Sequence, residues 1–414
     1  MDFSYLSSYG KRKGPSIPTS VDMIGRSEML VLHLLKEIYQ LEGDDIQEFD
    51  VCFPRAGDIK GNLSDSGRVR VSVVLENGKK ELFNWFVKVM PHTHPNNELV
   101  SKFNVFKNEI EFYTKIAPML KLFLKEKVSD NEMEFDLPKM LYSKQEEDRA
   151  IIILEDLTAE GFVQDKDENG NKFLTTEKAI LAVKSIAKIH AASYALQMKE
   201  KVDLKKDHPI LEESGLLWTH KEMTSRLFAM KDMYCDILKK SDKPDSPILL
   251  EKFRKAFNSE ELLVELCKGR MYEEGESVNC LQQGDFHFNN LLFRSSEGRL
   301  EVKIVDWQLA YSGRAGGDIS YLLMSSLDPA TREKEEENIK QEYYQAFINN
   351  VQLIRSSTDI AVTDEVALLK EDYQKSLPLG FFFSCGNIMA EERPSRRESF
   401  TYQLCKEAAK KHLI

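Results

Sequence analysis

Residues Leu281–Asp306 read LQQGDFHFNNLLFRSSEGRLEVKIVD. Two apolar runs, Leu291–Phe293 and Leu300–Val305, flank Ser295-Ser296-Glu297-Gly298. Apolar runs on either side of a glycine-containing turn predict a β-hairpin. A turn centred near Glu297 sets position 290 roughly opposite position 304, so Asn290 and Asp306 fall at the same end of the hairpin. Asp285 lies one loop upstream of Asn290. Three oxygen-bearing side chains are therefore expected at one sheet edge beside a loop. Hard oxygen donors suit Mg²⁺ better than Zn²⁺. A carboxylate and an amide to hold metal, with a second carboxylate near an acceptor, are the parts of a phosphoryl-transfer site.

Upstream, Phe49–Phe53 predicts a short strand, Val69–Leu75 a second and Leu82–Val89 a third. Asn77-Gly78 between the last two is a strong hairpin signal. The intervening loop, residues 54–64, contains Gly57, Gly61, Asn62 and Ser64. Strand, glycine loop, strand, turn, strand is how a kinase-like amino lobe covers ATP phosphates. The loop lacks GxGxxG, and by itself it reads equally as a surface loop. Lys88 lies inside the third strand. Phe103, Phe106, Ile110, Tyr113 and Ala117 then recur at helical spacing. At about 100° per residue, Glu109 sits beside that stripe and Glu111 well away from it. Glu109 is thus the expected partner of an inward-facing Lys88.

Ile151–Leu154 predicts a buried strand ending in Glu155-Asp156-Leu157, with a hinge at 154–157. Residues 160–173 read as a loop. Thr176 is expected to cap a helix whose apolar stripe is Ile180, Val183, Ala187, His190 and Tyr194, with His190 a satisfied core residue. Residues 208–275 are helical with aromatic punctuation (Trp218, Phe228, Tyr234, Phe253, Phe257), read either as a wall for an acceptor or as helix packing. Residues 330–414 are helical and contain the apolar run Leu377–Phe383. The expected organisation is a flexible tail at 1–20, an amino lobe at 21–153 and a carboxy lobe at 158–414.

The chain has 414 residues, 42% apolar and 30% charged, enough for a bilobal globular unit. A net charge of −11 argues against a broad nucleic-acid-binding face. Residues 1–20 lack an apolar core of signal-peptide length, and no uninterrupted apolar run approaches a membrane span. Six cysteines without a CxxC read as reduced thiols, so a cytoplasmic protein without membrane association is expected. The sequon Asn62-Leu63-Ser64 is then coincidental. His92-Thr93-His94 lacks the further ligands of a metal site.

Gly284-Asp285, Asn290 and Ile304-Val305-Asp306-Trp307 resemble the catalytic loop and metal aspartate of choline kinase and aminoglycoside phosphotransferase-type small-molecule kinases. Closer still is the ecdysteroid kinase-like (CHK kinase-like) family. Its pattern is resembled by Phe86-Val87-Lys88-Val89, Glu109–Tyr113, Leu154–Leu157 before Gly161-Phe162, and Lys188–Ser193. Asp285–Leu292 and Asp306–Tyr321 complete the series. The resemblance implies an α+β, bilobal protein kinase-like fold, with a small β-rich amino lobe and a larger, mostly helical carboxy lobe. It implies ATP and Mg²⁺ as cofactors and a small-molecule hydroxyl acceptor, an ecdysteroid or another lipophilic or xenobiotic alcohol.

Carried over residue by residue, Lys88 would hold the nucleotide phosphates and Glu109 would orient Lys88. Gly57, Gly61, Asn62 and Ser64 would cover the phosphates, and Glu155 and Leu157 would line the nucleotide site. Asp285 would be the catalytic residue, and Asn290 and Asp306 the metal ligands. His287, in the same loop, is read as polar support only. Gln283 stands where the family usually has histidine. That departure supports one alternative, a catalytically inactive ligand-binding protein of this fold; a choline or ethanolamine kinase is the other alternative.

Overall fold

Alternation decides the first sheet. Val69, Val71 and Val73 are buried, and Arg70 and Ser72 between them are exposed. A strand of this pattern buries one face and wets the other. The computed structural model describes residues 28–41, 45–52, 65–90, 102–128, 133–146, 149–164, 173–269, 271, 277–355, 363–389 and 394–414. The tail 1–20, Gly57, Gly61, Asn62, Ser64 and His92-Thr93-His94 lie outside these residues.

Five strands form an antiparallel sheet: β1 (Ile46–Cys52), β2 (Asp65–Leu75), β3 (Lys80–Val89), β4 (Met140–Gln145) and β5 (Ala150–Glu155), in the order β1-β2-β3-β5-β4. Gly78, at φ 78°, closes the β2–β3 turn. Helix α1 (Glu28–Tyr39) packs Val31, Leu34 and Leu35 against the Val69–Val73 face, together with Trp85 and Val87. The Trp85 indole donates to the Tyr39 hydroxyl at 3.0 Å.

Helix α2 (Val105–Glu111) runs into a π-helical turn, Phe112–Ile116, and then α3 (Ala117–Lys127). The wide turn rotates the helix phase of the residues that follow it. Glu111, expected well away from the apolar stripe, is buried along with Glu109.

Among the described residues, those up to Thr114 together with Pro138–Val163 form one compact unit. Lys115–Leu137 and Gln164–Ile414 form the other. Lys115–Leu137, read from sequence as amino lobe, therefore groups with the helical unit. The reason is local bonding. Ile304 N–H donates to the Asp136 carbonyl at 2.8 Å, and the Asp136 carboxylate receives Ser185 Oγ at 2.7 Å and Lys188 Nζ at 2.8 Å.

In the second unit, α4 (Thr176–Glu200) is capped by Thr175 rather than Thr176, with Thr175 Oγ1 accepting from Lys178 N–H at 3.3 Å. By length and composition α4 could cross a membrane, but its apolar window is 72% buried inside the protein. Helices α5 (Lys221–Lys240), α6 (Ser246–Ala256) and α7 (Glu260–Lys268) precede two small antiparallel pairs. In one, β6 (Asn279–Gln282) pairs with β9 (Tyr311–Arg314); in the other, β7 (Leu291–Ser296) pairs with β8 (Arg299–Ile304). Helices α8 (Gly316–Ser326), α9 (Pro329–Arg355), α10 (Thr363–Met389) and α11 (Pro394–Lys410) complete it.

The β7–β8 register sets Leu291, not Asn290, opposite Ile304. The turn is only two residues, Glu297-Gly298, both at positive φ (52° and 77°). Such a turn matches the twist of the strands, and it moves the pairing by one position from a turn centred on Glu297.

Of the aromatic residues read either as an acceptor wall or as helix packing, Tyr234, Phe253 and Phe257 lie in the core. Tyr234 stacks on Phe253 with centroids 5.3 Å apart, and Phe257 stacks on Phe381 at 5.8 Å. These rings join α5 and α6 to α10.

Candidate active site

The candidate side chains fall into two sets, one in each unit. In the first, alternation along β3 turns Val87 toward the α1 core and Lys88 to the other face. Lys88 Nζ donates to Glu109 Oε1 at 3.0 Å and to Oε2 at 2.7 Å. Both side chains are nearly inaccessible, at 7% and 2% exposure. A lysine and a carboxylate leave water only when paired this closely. At the end of β5, Glu155 Oε1 accepts from Lys139 N–H at 2.9 Å. The Leu157 side chain is buried, and its carbonyl accepts from the N–H groups of Glu160 and Phe162.

The second set is built on the loop after β6. Gly284 sits at φ 88°, and a Cβ there would lie 2.0 Å from the Leu309 carbonyl oxygen. Only glycine fits both the conformation and the space. Gln283, fully buried, then bridges two loops. Its Oε1 accepts from Asp285 N–H at 2.8 Å. Its Nε2 donates to the carbonyls of Val305 at 3.0 Å and Asp306 at 2.6 Å. Asp306 adopts a left-handed conformation, φ 63°, so its backbone turns as the chain leaves β8.

Asn290 and Asp285 are in direct contact. Asn290 Nδ2 donates to the Asp285 carbonyl at 2.9 Å and to its Oδ2 at 3.0 Å. Val305 N–H donates to the Asn290 carbonyl at 3.0 Å, which brings Asp306 alongside. With its amide nitrogen spent on Asp285, Asn290 keeps Oδ1 for another partner. Among the described residues no three His, Cys, Asp or Glu side chains form a metal-holding cluster. Mg²⁺ does not need one, because it is held by one or two carboxylates, with substrate phosphates and water as its other ligands. Asn290 Oδ1 and the Asp306 carboxylate fit that requirement.

Asp318 is a residue that sequence reading passed over. It opens α8 and is 2% exposed. Its Oδ2 accepts from Gln283 N–H at 2.7 Å and its Oδ1 from Gly284 N–H at 3.0 Å. His190 Nε2 lies 3.3 Å from Asp318 Oδ2, and His190 Nδ1 lies 2.9 Å from the Tyr343 hydroxyl. His190 is a satisfied core residue, and it steadies the acid that holds the catalytic loop. Burial pushes the Tyr343 phenol and the Cys280 thiol well above their ordinary pKa values. The signal in the sequence was an acid, Asp318, at the head of an otherwise apolar run, Ile319–Leu323.

The first unit thus carries a buried lysine–glutamate pair on its five-stranded sheet, and the second an aspartate, an asparagine and an aspartate at a buttressed hairpin. The sequence pattern of the ecdysteroid kinase-like family matches residues 61–356, and the chain belongs to that family. Among solved structures, a Plasmodium vivax ethanolamine kinase aligns over 98% of this chain and 93% of its own, with 11% identity and a TM-score of 0.44. A microcompartment-associated aminopropanol kinase aligns over 94% of this chain and 99% of its own, with 11% identity and a TM-score of 0.38. No curated protein sequence matches this chain.

Proposed function

We propose that the protein transfers the γ-phosphoryl group of ATP to a hydroxyl of a small molecule, an ecdysteroid or another lipophilic or xenobiotic alcohol. The observation that carries this reading is the hydrogen-bond chain from Asn290 through Asp285 and Gln283 to Asp306, which gathers one general base and two metal-type ligands. Family membership supports the kinase class.

In this reading Lys88, oriented by Glu109, neutralises nucleotide phosphate charge. Asn290 and Asp306 would hold Mg²⁺, which would neutralise charge on the phosphates. Asp285 positions the acceptor hydroxyl and takes its proton. The hydroxyl oxygen forms a bond to the γ-phosphorus as the bond to the β–γ bridging oxygen breaks, and ADP leaves with that electron pair. The three hydrogen bonds of Gln283 tie both loops together, a role that histidine would fill in the related kinases.

The test is transfer of labelled γ-phosphate from ATP to a panel of hydroxylated steroids, xenobiotic alcohols, choline and ethanolamine. Transfer to neutral alcohols, lost in Asp285→Ala and Asp306→Ala variants that still fold, is the expected result. Turnover of choline or ethanolamine alone would overturn the lipophilic acceptor. Binding of Mg-ATP without transfer to any acceptor would overturn the kinase.

A further inference from the structure

His287 is the polar side chain of the catalytic loop that the proposed chemistry does not use. It is 7% exposed. Its ring stacks on Tyr321 of α8, with centroids 5.4 Å apart and planes 27° apart. Tyr321 in turn packs on Phe383 of α10 at 5.6 Å. A column of three rings therefore runs from α10 to the catalytic loop. At its end, His287 Nε2 lies 3.5 Å from Asp285 Oδ2.

The same carboxylate oxygen already accepts from Asn290 Nδ2 at 3.0 Å. Oδ2 thus has two nitrogen atoms nearby, Asn290 Nδ2 and His287 Nε2. Among the described residues, no donor reaches Oδ1, and the Asp285 side chain keeps 29% exposure. The two oxygens of one carboxylate are inequivalent.

We infer that His287 is a positioning residue, held by Tyr321 and Phe383, that fixes Oδ2 of Asp285 so that Oδ1 receives the acceptor's proton. This inference rests on the kinase reading for its consequence, but not for its geometry. A separation of 3.5 Å is long for a hydrogen bond, and catalytic contacts of this kind tighten when substrate binds. Angular freedom of the carboxylate is the quantity at stake, and misplacing a reacting group by about 1 Å costs on the order of 100-fold in rate. His287 is not placed to act as the base itself. Its Nε2 lies 3.5 Å from Asp285 Oδ2, and one face of its ring is covered by Tyr321.

Two measurements test this. The first is the tautomer of His287 by ¹⁵N NMR, assigned with His287→Gln. The proton is expected on Nε2 in the wild-type protein, with a mixed population in Asp285→Ala. A proton on Nδ1 in the wild type, or a tautomer indifferent to Asp285→Ala, overturns the inference whether or not the protein phosphorylates anything. The second is kinetic. His287→Ala is expected to lower kcat about 100-fold with KM for ATP unchanged. His287→Gln, which keeps a donor, should recover most of the rate. Tyr321→Leu, which removes the stacked ring, should resemble His287→Ala. Unchanged kcat in His287→Ala, or equal losses in the Ala and Gln variants, overturns it. Failure of the wild-type protein to transfer phosphate is a failure of the kinase reading, and the tautomer then decides the placement of His287.

Discussion

Gln283 Nε2 donates to the backbone carbonyl of Asp306 at 2.6 Å, while its Oε1 accepts from the N–H of Asp285. One amide therefore spaces the two acids. Gln283→Glu would remove the donors and set a carboxylate against two carbonyls in a fully buried place. A buried group left unsatisfied costs about 1–3 kcal/mol, and more when it is charged. We expect Gln283→Glu to lower the unfolding free energy from urea titration by that order and to abolish transfer. Gln283→Ala should keep the fold and lose kcat more than nucleotide affinity, as read by steady-state kinetics beside a nucleotide-binding isotherm.

The Lys88–Glu109 pair gives a different signature. Breaking a buried pair by removing one partner costs about 3–5 kcal/mol, because a charge is left without compensation. Glu109→Ala and Lys88→Met should each destabilise by that order, and the double substitution by clearly less than their sum. Denaturant titration of the four proteins forms a double-mutant cycle. Additive losses would show that the two charges are not coupled. Lys88→Met should also weaken ATP binding.

Gly284 and Gly298 both have positive φ but differ in surroundings. At Gly284 an added Cβ meets the Leu309 backbone at 2.0 Å; at Gly298 nothing lies within 4 Å. Gly298→Ala should cost only the left-handed strain, about 1–2 kcal/mol. Gly284→Ala should cost more than that and displace the catalytic loop. Thermal unfolding of the two variants separates strain from collision.

Asp372 carries a pH dependence of stability. Burial pushes its carboxyl from 3.8 up to about 6, against the opposing help of Val278 N–H at 2.8 Å and of Arg314 at 3.3 Å. Between these values the folded protein holds a proton that the unfolded chain has released. Stability therefore falls as pH rises through this window, and the full cost is present above about pH 6. Wild type should lose stability relative to Asp372→Asn from pH 4 to pH 6 and track it in parallel above pH 7. Urea unfolding across that range checks the slope; a rising difference would refute the assignment.

Local periodicity made part of this site legible. The phase of α2 singles out Glu109 for Lys88, and two apolar runs around a Gly turn place Asn290 near Asp306. The β7–β8 register came out one position off because Glu297 takes a left-handed conformation, a preference that Glu does not advertise. Glu111, the last residue of α2 before the π-turn, is buried along with Glu109, which the phase of the apolar stripe does not indicate. Asp318 and the ring column from Phe383 to His287 depend on contacts far apart in the chain. Tyr234, Phe253 and Phe257 could be read as pocket or as core from sequence, and packing against α10 makes them core.

Lys115–Leu137 lies inside the span of the first unit in chain order and belongs to the second. The polypeptide therefore cannot be cut once into two self-sufficient fragments. A piece starting at Gln164 would lack α3 and the Asp136 carbonyl that pairs with Ile304, and a piece ending at Thr114 would lack β4 and β5. On a ribosome, the first sheet cannot close until Glu155 has emerged. The early-made α3 must then wait for α4 before its apolar face is covered. Expression trials of separate halves should yield insoluble material, and co-expression of fragments split elsewhere in the chain would be the way to rebuild the protein from parts.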